Sequence, residues 1–233
     1  LKAVNAMCFD VSAACSGFIT ALDIAASMLK AGSYKYALVI GSEKMSEIVN
    51  WKDRSVCVLF GDGAGAVVLK AVDNNTEDVT GDLVGHERGI IDSNIYNDGT
   101  GASVLTGGRR FSDSCSTDIF IHMDGQEVFK FAVKSVPTAI ETLLHNNNMD
   151  INDVDKFILH QANVRIIESV AKRLKADKDK FPVNLNEYGN TSSASIPILL
   201  DELNRNGSLK QGEKLVLAGF GAGLSWGSIL LVW

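Results

Sequence analysis

The chain has 233 residues, 46% of them hydrophobic and 21% charged, which supplies apolar mass for a sizeable folded core. A net charge of −6 and a pI near 5.2 argue against a protein built to coat nucleic acid. No apolar run approaches the ~20 residues of a membrane-spanning helix, and Leu1-Lys2-Ala3 leads into strand-like sequence rather than into a signal peptide.

Residues 4–11 read as a buried central strand, followed by the small-residue turn Ser-Ala-Ala-Cys-Ser-Gly and a helix over 17–30. A central strand needs neighbours on both edges and nothing precedes this one, so an N-terminal segment of the domain is expected to be missing from the sequence. Phe18, Ile19, Leu22, Ile24 and Leu29 leave the helix almost no polar face, and Gly32 is placed to end it. Residues 36–43 read as a second buried strand, completing a β-α-β unit with parallel pairing. Residues 55–60 and 64–72 read as a hairpin around Gly-Asp-Gly-Ala-Gly. A phosphate cradle would need a helix to follow those glycines.

Residues 73–118 are polar and glycine-rich, the pattern of a connector and a long covering loop. A strand over 118–123 and a helix over 125–146 follow, the helix bent or loosened at Pro137. Next come a strand over 156–162, an amphipathic helix over 163–176, a strand over 181–185, a helix over 194–206 and a closing hairpin of 214–220 with 225–233. A β-α-β unit leading to a hairpin thus occurs before residue 73 and again after 150. That weak repeat predicts two similar α/β halves, 1–74 and 75–233.

The four cysteines, Cys8, Cys15, Cys57 and Cys115, contain no Cys-x-x-Cys pair and no metal-site spacing. Reduced thiols in a cytoplasmic protein, mostly acting as small buried hydrophobes, are the expectation. Cys15 differs by its place, beyond a strand's C-terminal end at the mouth of a helix, where α/β sheets put their sites and where a helix dipole lowers a thiol pKa. On these grounds it is as readily a nucleophile as a packed thiol. His160 also ends a strand and opens a helix, and by itself reads slightly better as a satisfied core residue. Asn190, in Tyr-Gly-Asn-Thr-Ser, by itself reads as turn chemistry. All three nonetheless fall at strand-end turns, where a composite site would assemble. His86, His122 and His145 have no such context.

The segments Asp10–Phe18 (DVSAACSGF), 59–69 (LFGDGAGAVVL), 160–167 (HQANVRII), 189–197 (GNTSSASIP) and 219–228 (GFGAGLSWGS) together resemble β-ketoacyl-acyl-carrier-protein synthase III of the thiolase superfamily, in order and over nearly the whole chain. The resemblance implies a thiolase-like fold, two α/β halves in an α-β-α-β-α layering. It implies that Cys15 takes an acyl group from an acyl-CoA, acetyl-CoA being the expected starter, as a thioester. His160 and Asn190 would then serve the decarboxylating malonyl-acyl-carrier protein, and the backbone N–H groups of Cys15 and Ala222 would form an oxyanion hole. Ala222 stands where many relatives have glycine. Phe220 would line the acyl pocket, helped by loop 92–117.

CoA would meet Arg54, Gln126, Ala162, Asn163 and Arg165; Ser55 and Gln126 replace residues that are often glycine and asparagine in the family. The acidic carrier protein would dock on Lys130, Arg165, Lys172 and Arg173, with Arg165 and Lys172 on one helix face. A solvated helix face is the alternative for Lys172 and Arg173. The resemblance further implies a homodimer, no cofactor beyond the acyl-CoA substrate, no metal, and neither nucleic acid nor membrane as partner. Two other readings are a CoA-dependent Cys–His–Asn enzyme of the type III polyketide kind and a non-catalytic fragment. The alanine at 222, where the polyketide-type loop usually has proline, weighs against the first. A degradative thiolase would want a second cysteine near the C-terminus, and none follows Cys115.

Overall fold

A computed structural model of the chain describes residues 2–72, 88–107 and 120–233. The largest sheet is mixed and has the order β3-β8-β7-β6, built from β3 (Gly89–Asn97), β6 (Lys156–Leu159), β7 (Lys214–Gly221) and β8 (Ser225–Val232). β6 runs parallel to β7, and β7 and β8 form the expected closing hairpin. β7 and β8 are buried almost throughout, as strands covered on both faces must be.

One face carries α2 (Gly125–Asn146) and α3 (Val164–Leu174). Val136, Ile140, Leu143, Ile167 and Val170 pack there on Phe157, Leu159, Val216 and Leu230. The other face carries α1 (Gly17–Lys30) and α5 (Ser195–Arg205), where Phe18, Ile19, Leu22, Ile196 and Leu199 meet Ile158, Leu217 and Ile229. Beyond α1 and α5 lies an antiparallel ribbon of β1 (Tyr36–Glu43) and β2 (Gly63–Lys70). Its inner face bears Val39, Val67 and Leu69 and three glycines. A Cβ at Gly41 would stand 2.7 Å from the Ser193 carbonyl oxygen, and one at Gly65 2.8 Å from the Ile198 nitrogen. Its outer face exposes Tyr36, Leu38, Ile40 and Val68. The layering is therefore α-β-α-β.

The helices begin and end by local chemistry. Asp124 caps α2 by accepting the N–H groups of Gln126 and Glu127, Asn163 caps α3 by accepting that of Arg165, and Gly32, at φ +77°, follows the C-cap of α1. α2 stays one α-helix through Pro137, without the loosened turn expected there.

Several expectations are corrected. Residues 4–11 form no strand and lie largely exposed, Cys8 included; a strand needs a ladder partner, and the only described partner of β1 is β2, antiparallel to it, so the parallel β-α-β unit expected over 4–43 does not form among the described residues. Residues 55–60 fold as turns, because the Asp53 carboxylate accepts from the Ser55 N–H and hydroxyl and the Asp53 carbonyl accepts from the N–H groups of Val56 and Cys57. Glycines 61 to 65 therefore join no hairpin. Residues 181–185 give no strand either: Pro182 lacks a donor, Phe181 turns inward to stack on Phe157 at 4.6 Å, and the short helix α4 (Leu185–Tyr188) begins.

β3 lies where a loop was expected. A register shift between Ile90 and Asp92 breaks the two-residue alternation by which a strand is read. β4 (Leu105–Gly107) pairs with β5 (Ile121–Met123), which lies within the expected strand 118–123, whose residues 118 and 119 fall outside the described residues. The boundary at 74/75, His86, Cys115 and residues 108–117 of the covering loop lie outside the described residues.

Candidate active site

Cys15 occupies a 3-10 turn, Ala14–Ser16, that runs straight into α1. Ala14 has φ +46°, a left-handed conformation that costs a non-glycine residue about 1–2 kcal/mol and is held here by its surroundings. The first hydrogen bonds of the turn come from the N–H groups of Ser16 and Gly17, so the Cys15 N–H precedes them and has no acceptor within the turn. The end of β7 presses on this turn: a Cβ at Gly219 would lie 2.9 Å from Ile19 Cγ1, and one at Gly221 2.9 Å from the Cys15 nitrogen. The hydroxyls of Ser16 and Ser225 meet at 2.6 Å, and that of Ser225 donates to the Ala222 carbonyl at 2.9 Å.

His160 follows β6, its own N–H donating to the Ala218 carbonyl. Its ring stands edge-on to Phe220 at 5.2 Å, and Nδ1 is 2.7 Å from Ser195 Oγ. Asn190 is pinned by the 59–61 segment: its N–H donates to the Leu59 carbonyl and its carbonyl accepts from the Gly61 N–H. Gly61 has to be glycine, since a Cβ would sit 2.1 Å from the Tyr188 carbonyl oxygen. Asn190 Oδ1 accepts the Ser192 N–H at 2.8 Å, which commits the oxygen and leaves the Nδ2 hydrogens as the amide's available donors.

Cys15, His160, Asn190, Phe220 and Ala222 all line one cavity of about 310 Å³. Its walls are mainly apolar: Met45, Ile48, Leu59, Phe60, Leu105 and Ile121. Ala162 and Asn163 line it as well. Gln126 lies instead in an adjoining polar depression with Asp53, Ser103 and His122, and the two share Met123 and Gly125. Arg54 and Arg165 are exposed and line neither. Lys130, Lys172 and Arg173 are exposed too, with Lys130 paired to Glu127 at 2.7 Å.

Sequence reasoning missed Glu43, a carboxylate in the cavity wall that accepts from the Ser193 hydroxyl at 2.6 Å. Its position in an apolar strand before a lysine gave no signal. Reasoning from the helix dipole also gave the wrong sign for the thiol. Burial pushes Cys15 up to about 11; the Ser192 hydroxyl opposes this and the Glu43 charge adds to it. Burial likewise drives His160 down to about 3, so the ring is neutral at physiological pH.

The layered fold and a cavity joining a cysteine, a neutral histidine and an asparagine define a thiolase-type condensing enzyme. Residues 9–99 match the 3-oxoacyl-[acyl-carrier-protein] synthase III family and residues 144–233 its C-terminal region. A β-ketoacyl-[acyl-carrier-protein] synthase III of Clostridium acetobutylicum is 46% identical across all of this chain, which spans 70% of that relative's length. Among solved structures, the 3-oxoacyl-[acyl-carrier-protein] synthase III of Aquifex aeolicus superposes with TM-score 0.88 at 44% identity, covering 100% of this chain and 69% of the other. The Thermus thermophilus β-ketoacyl-[acyl carrier protein] synthase III does so with TM-score 0.86 at 37% identity, covering 97% and 67%. The chain belongs to the β-ketoacyl-acyl-carrier-protein synthase III family, and is an acyltransferase-type condensing enzyme that initiates fatty acid synthesis.

Proposed function

We propose that Cys15 is the nucleophile that accepts the acyl group of an acyl-CoA, acetyl-CoA first among them, and passes it to a malonyl unit on acyl-carrier protein. The sulfur attacks the thioester carbonyl, the C–S bond to CoA breaks, and the thiol proton leaves with the CoA sulfur. The N–H groups of Cys15 and Ala222 receive the oxyanion. Malonyl-carrier protein then loses CO2. The enolate oxygen accepts hydrogen bonds from His160 and Asn190, and the carbanion forms a C–C bond to the Cys15-bound acyl carbon. The C–S bond to Cys15 breaks, and the cysteine sulfur takes up a proton. The products are 3-oxoacyl-carrier protein, CoA and CO2.

The observation that carries this reading is the convergence of Cys15, a neutral His160 and an Asn190 with free amide hydrogens on one largely apolar cavity. A neutral imidazole and an amide stabilise a developing enolate as donors, and apolar walls favour loss of the malonyl carboxylate. The same walls, with Phe220, would hold the acyl chain. The route for CoA would run from the cavity past Ala162 and Asn163 to the depression at Gln126, with Arg54 and Arg165 outside it as phosphate partners. Lys130, Arg165, Lys172 and Arg173 would receive the carrier protein; the exposed Lys130–Glu127 pair is worth little and can exchange partners.

Membership in the family supports the wider reading of a cytoplasmic homodimer with a division near residue 74 and no cofactor. No helix among the described residues is long and apolar enough to cross a membrane. The test is a panel of starter CoAs with intact-mass detection of acylated protein. Acyl mass on the Cys15 peptide, lost in Cys15→Ala, is expected; no acylation by any short acyl-CoA would sink the reading. Turnover of malonyl-CoA without carrier protein would replace it with a polyketide-type activity.

A further inference from the structure

We infer that Ser195 is a positioning residue that fixes the tautomer of His160, holding its single ring proton on Nε2; this rests on the reading of His160 as a hydrogen-bond donor to the malonyl thioester. A neutral imidazole carries one N–H and one lone pair, and either nitrogen can hold the proton. Only the Nε2–H form can donate from the edge of the ring opposite Nδ1.

The partners of Nδ1 decide which form exists. Ser195, the first residue of α5, is buried, as is His160, and Ser195 Oγ lies 2.7 Å from Nδ1. The same oxygen accepts the backbone N–H of Gln161 at 3.3 Å. Gln161 is itself anchored, its Nε2 donating to the Leu159 carbonyl at 2.8 Å and its Oε1 accepting the Asn184 N–H at 3.2 Å. With Gln161 occupying the acceptor side of the hydroxyl, the Ser195 proton has one described acceptor, His160 Nδ1. If Nδ1 carried the proton, Ser195 would accept twice and its own hydrogen would be buried without a partner, which is costly. The chain therefore runs from Gln161 N–H to Ser195 O–H to the Nδ1 lone pair. This is the reverse of a hydrolase triad, in which a carboxylate accepts a hydrogen bond from Nδ1–H and so leaves Nε2 as a base. A serine in the carboxylate's place turns the same ring into a donor.

The experiment is two-bond 1H–15N correlation on enzyme labelled with 15N-histidine, with the His160 signals assigned by their loss in His160→Gln, alongside decarboxylation of malonyl-carrier protein. Wild type should show His160 protonated on Nε2. Ser195→Ala should bring up the Nδ1-protonated form and slow decarboxylation roughly tenfold or more, and Ser195→Thr, which keeps the hydroxyl, should restore both. A wild-type ring protonated on Nδ1 overturns the inference even if the alanine variant does not fold. So does a Ser195→Ala enzyme with unchanged tautomer and rate. If His160→Ala, which has no side-chain donor, decarboxylates normally, the donor reading fails instead, so the two failures are told apart.

Discussion

Gly221 lies against Cys15 so closely that a Cβ on it would stand 2.9 Å from the cysteine nitrogen and 3.0 Å from the cysteine Cβ. The glycine is thus part of how the nucleophile is placed. Gly221→Ala has to push the Ala14–Ser16 turn away from β7, and overpacking of this kind costs about 1–3 kcal/mol. Displacing the sulfur from its attack position costs about a hundredfold in rate. Acylation of Cys15 by acetyl-CoA, followed by intact mass, should fall by about that factor, with a modestly lowered Tm. Wild-type acylation in the variant would show that the contact does not position the thiol.

Because burial holds the Cys15 thiol near 11, the free enzyme carries little thiolate at neutral pH. Alkylation of the Cys15 peptide by iodoacetamide is expected to rise about tenfold per unit between roughly pH 7 and 10. A plateau reached below pH 8 would mean an activated thiolate in the resting enzyme.

Glu43 contributes to that elevation through its charge. Glu43→Gln keeps a side-chain oxygen to accept from Ser193 and removes the charge. The same alkylation measured at pH 8 should quicken by about two- to fivefold. A slower reaction would show that Glu43 acts on Cys15 by shaping the wall rather than by its field.

His160 takes its proton at 6.5 when unfolded and at about 3 when folded. Between those values the unfolded chain binds more protons. The stability linked to the neutral ring is complete above 6.5 and is lost as pH falls toward 3. The urea midpoint should therefore drop more steeply from pH 6.5 to about 5 in wild type than in His160→Gln. Decarboxylation, needing only the neutral ring, should stay within about twofold from roughly pH 5.5 to 8. A rate that titrates near 6.5 through His160 would contradict the buried, neutral imidazole.

Much of this was legible in the sequence. Apolar periodicity located α1, α2, α3, α5 and the β7–β8 hairpin, because each buries one continuous face or both. Cys15, His160 and Asn190 all fell at chain turns beside the sheets, a placement that suggested a shared site before any contact was known. Periodicity failed where one extra residue carries the signal, as at Ile91 in β3, and where side-chain hydrogen bonds override strand propensity, as Asp53 does over 55–60. It could not find Glu43, Ser192 or Ser195, whose roles come from neighbours more than twenty residues away in the chain. The sign of the Cys15 shift was likewise out of reach: a helix terminus is local, whereas burial depends on distant chain such as Gly221 of β7, which packs on Cys15.

The 2.6 Å contact between Ser16 and Ser225 joins residues 209 positions apart. During synthesis the cysteine emerges before Ser225, and the hairpin that seals it exists only after Ser225 has been made. Until then the thiol keeps its ordinary value of 9.0 rather than about 11, and it stands open to oxidants. Closing the last hairpin therefore also protects the nucleophile, and oxidative damage at Cys15 should concentrate on nascent and partly unfolded chains rather than on finished enzyme.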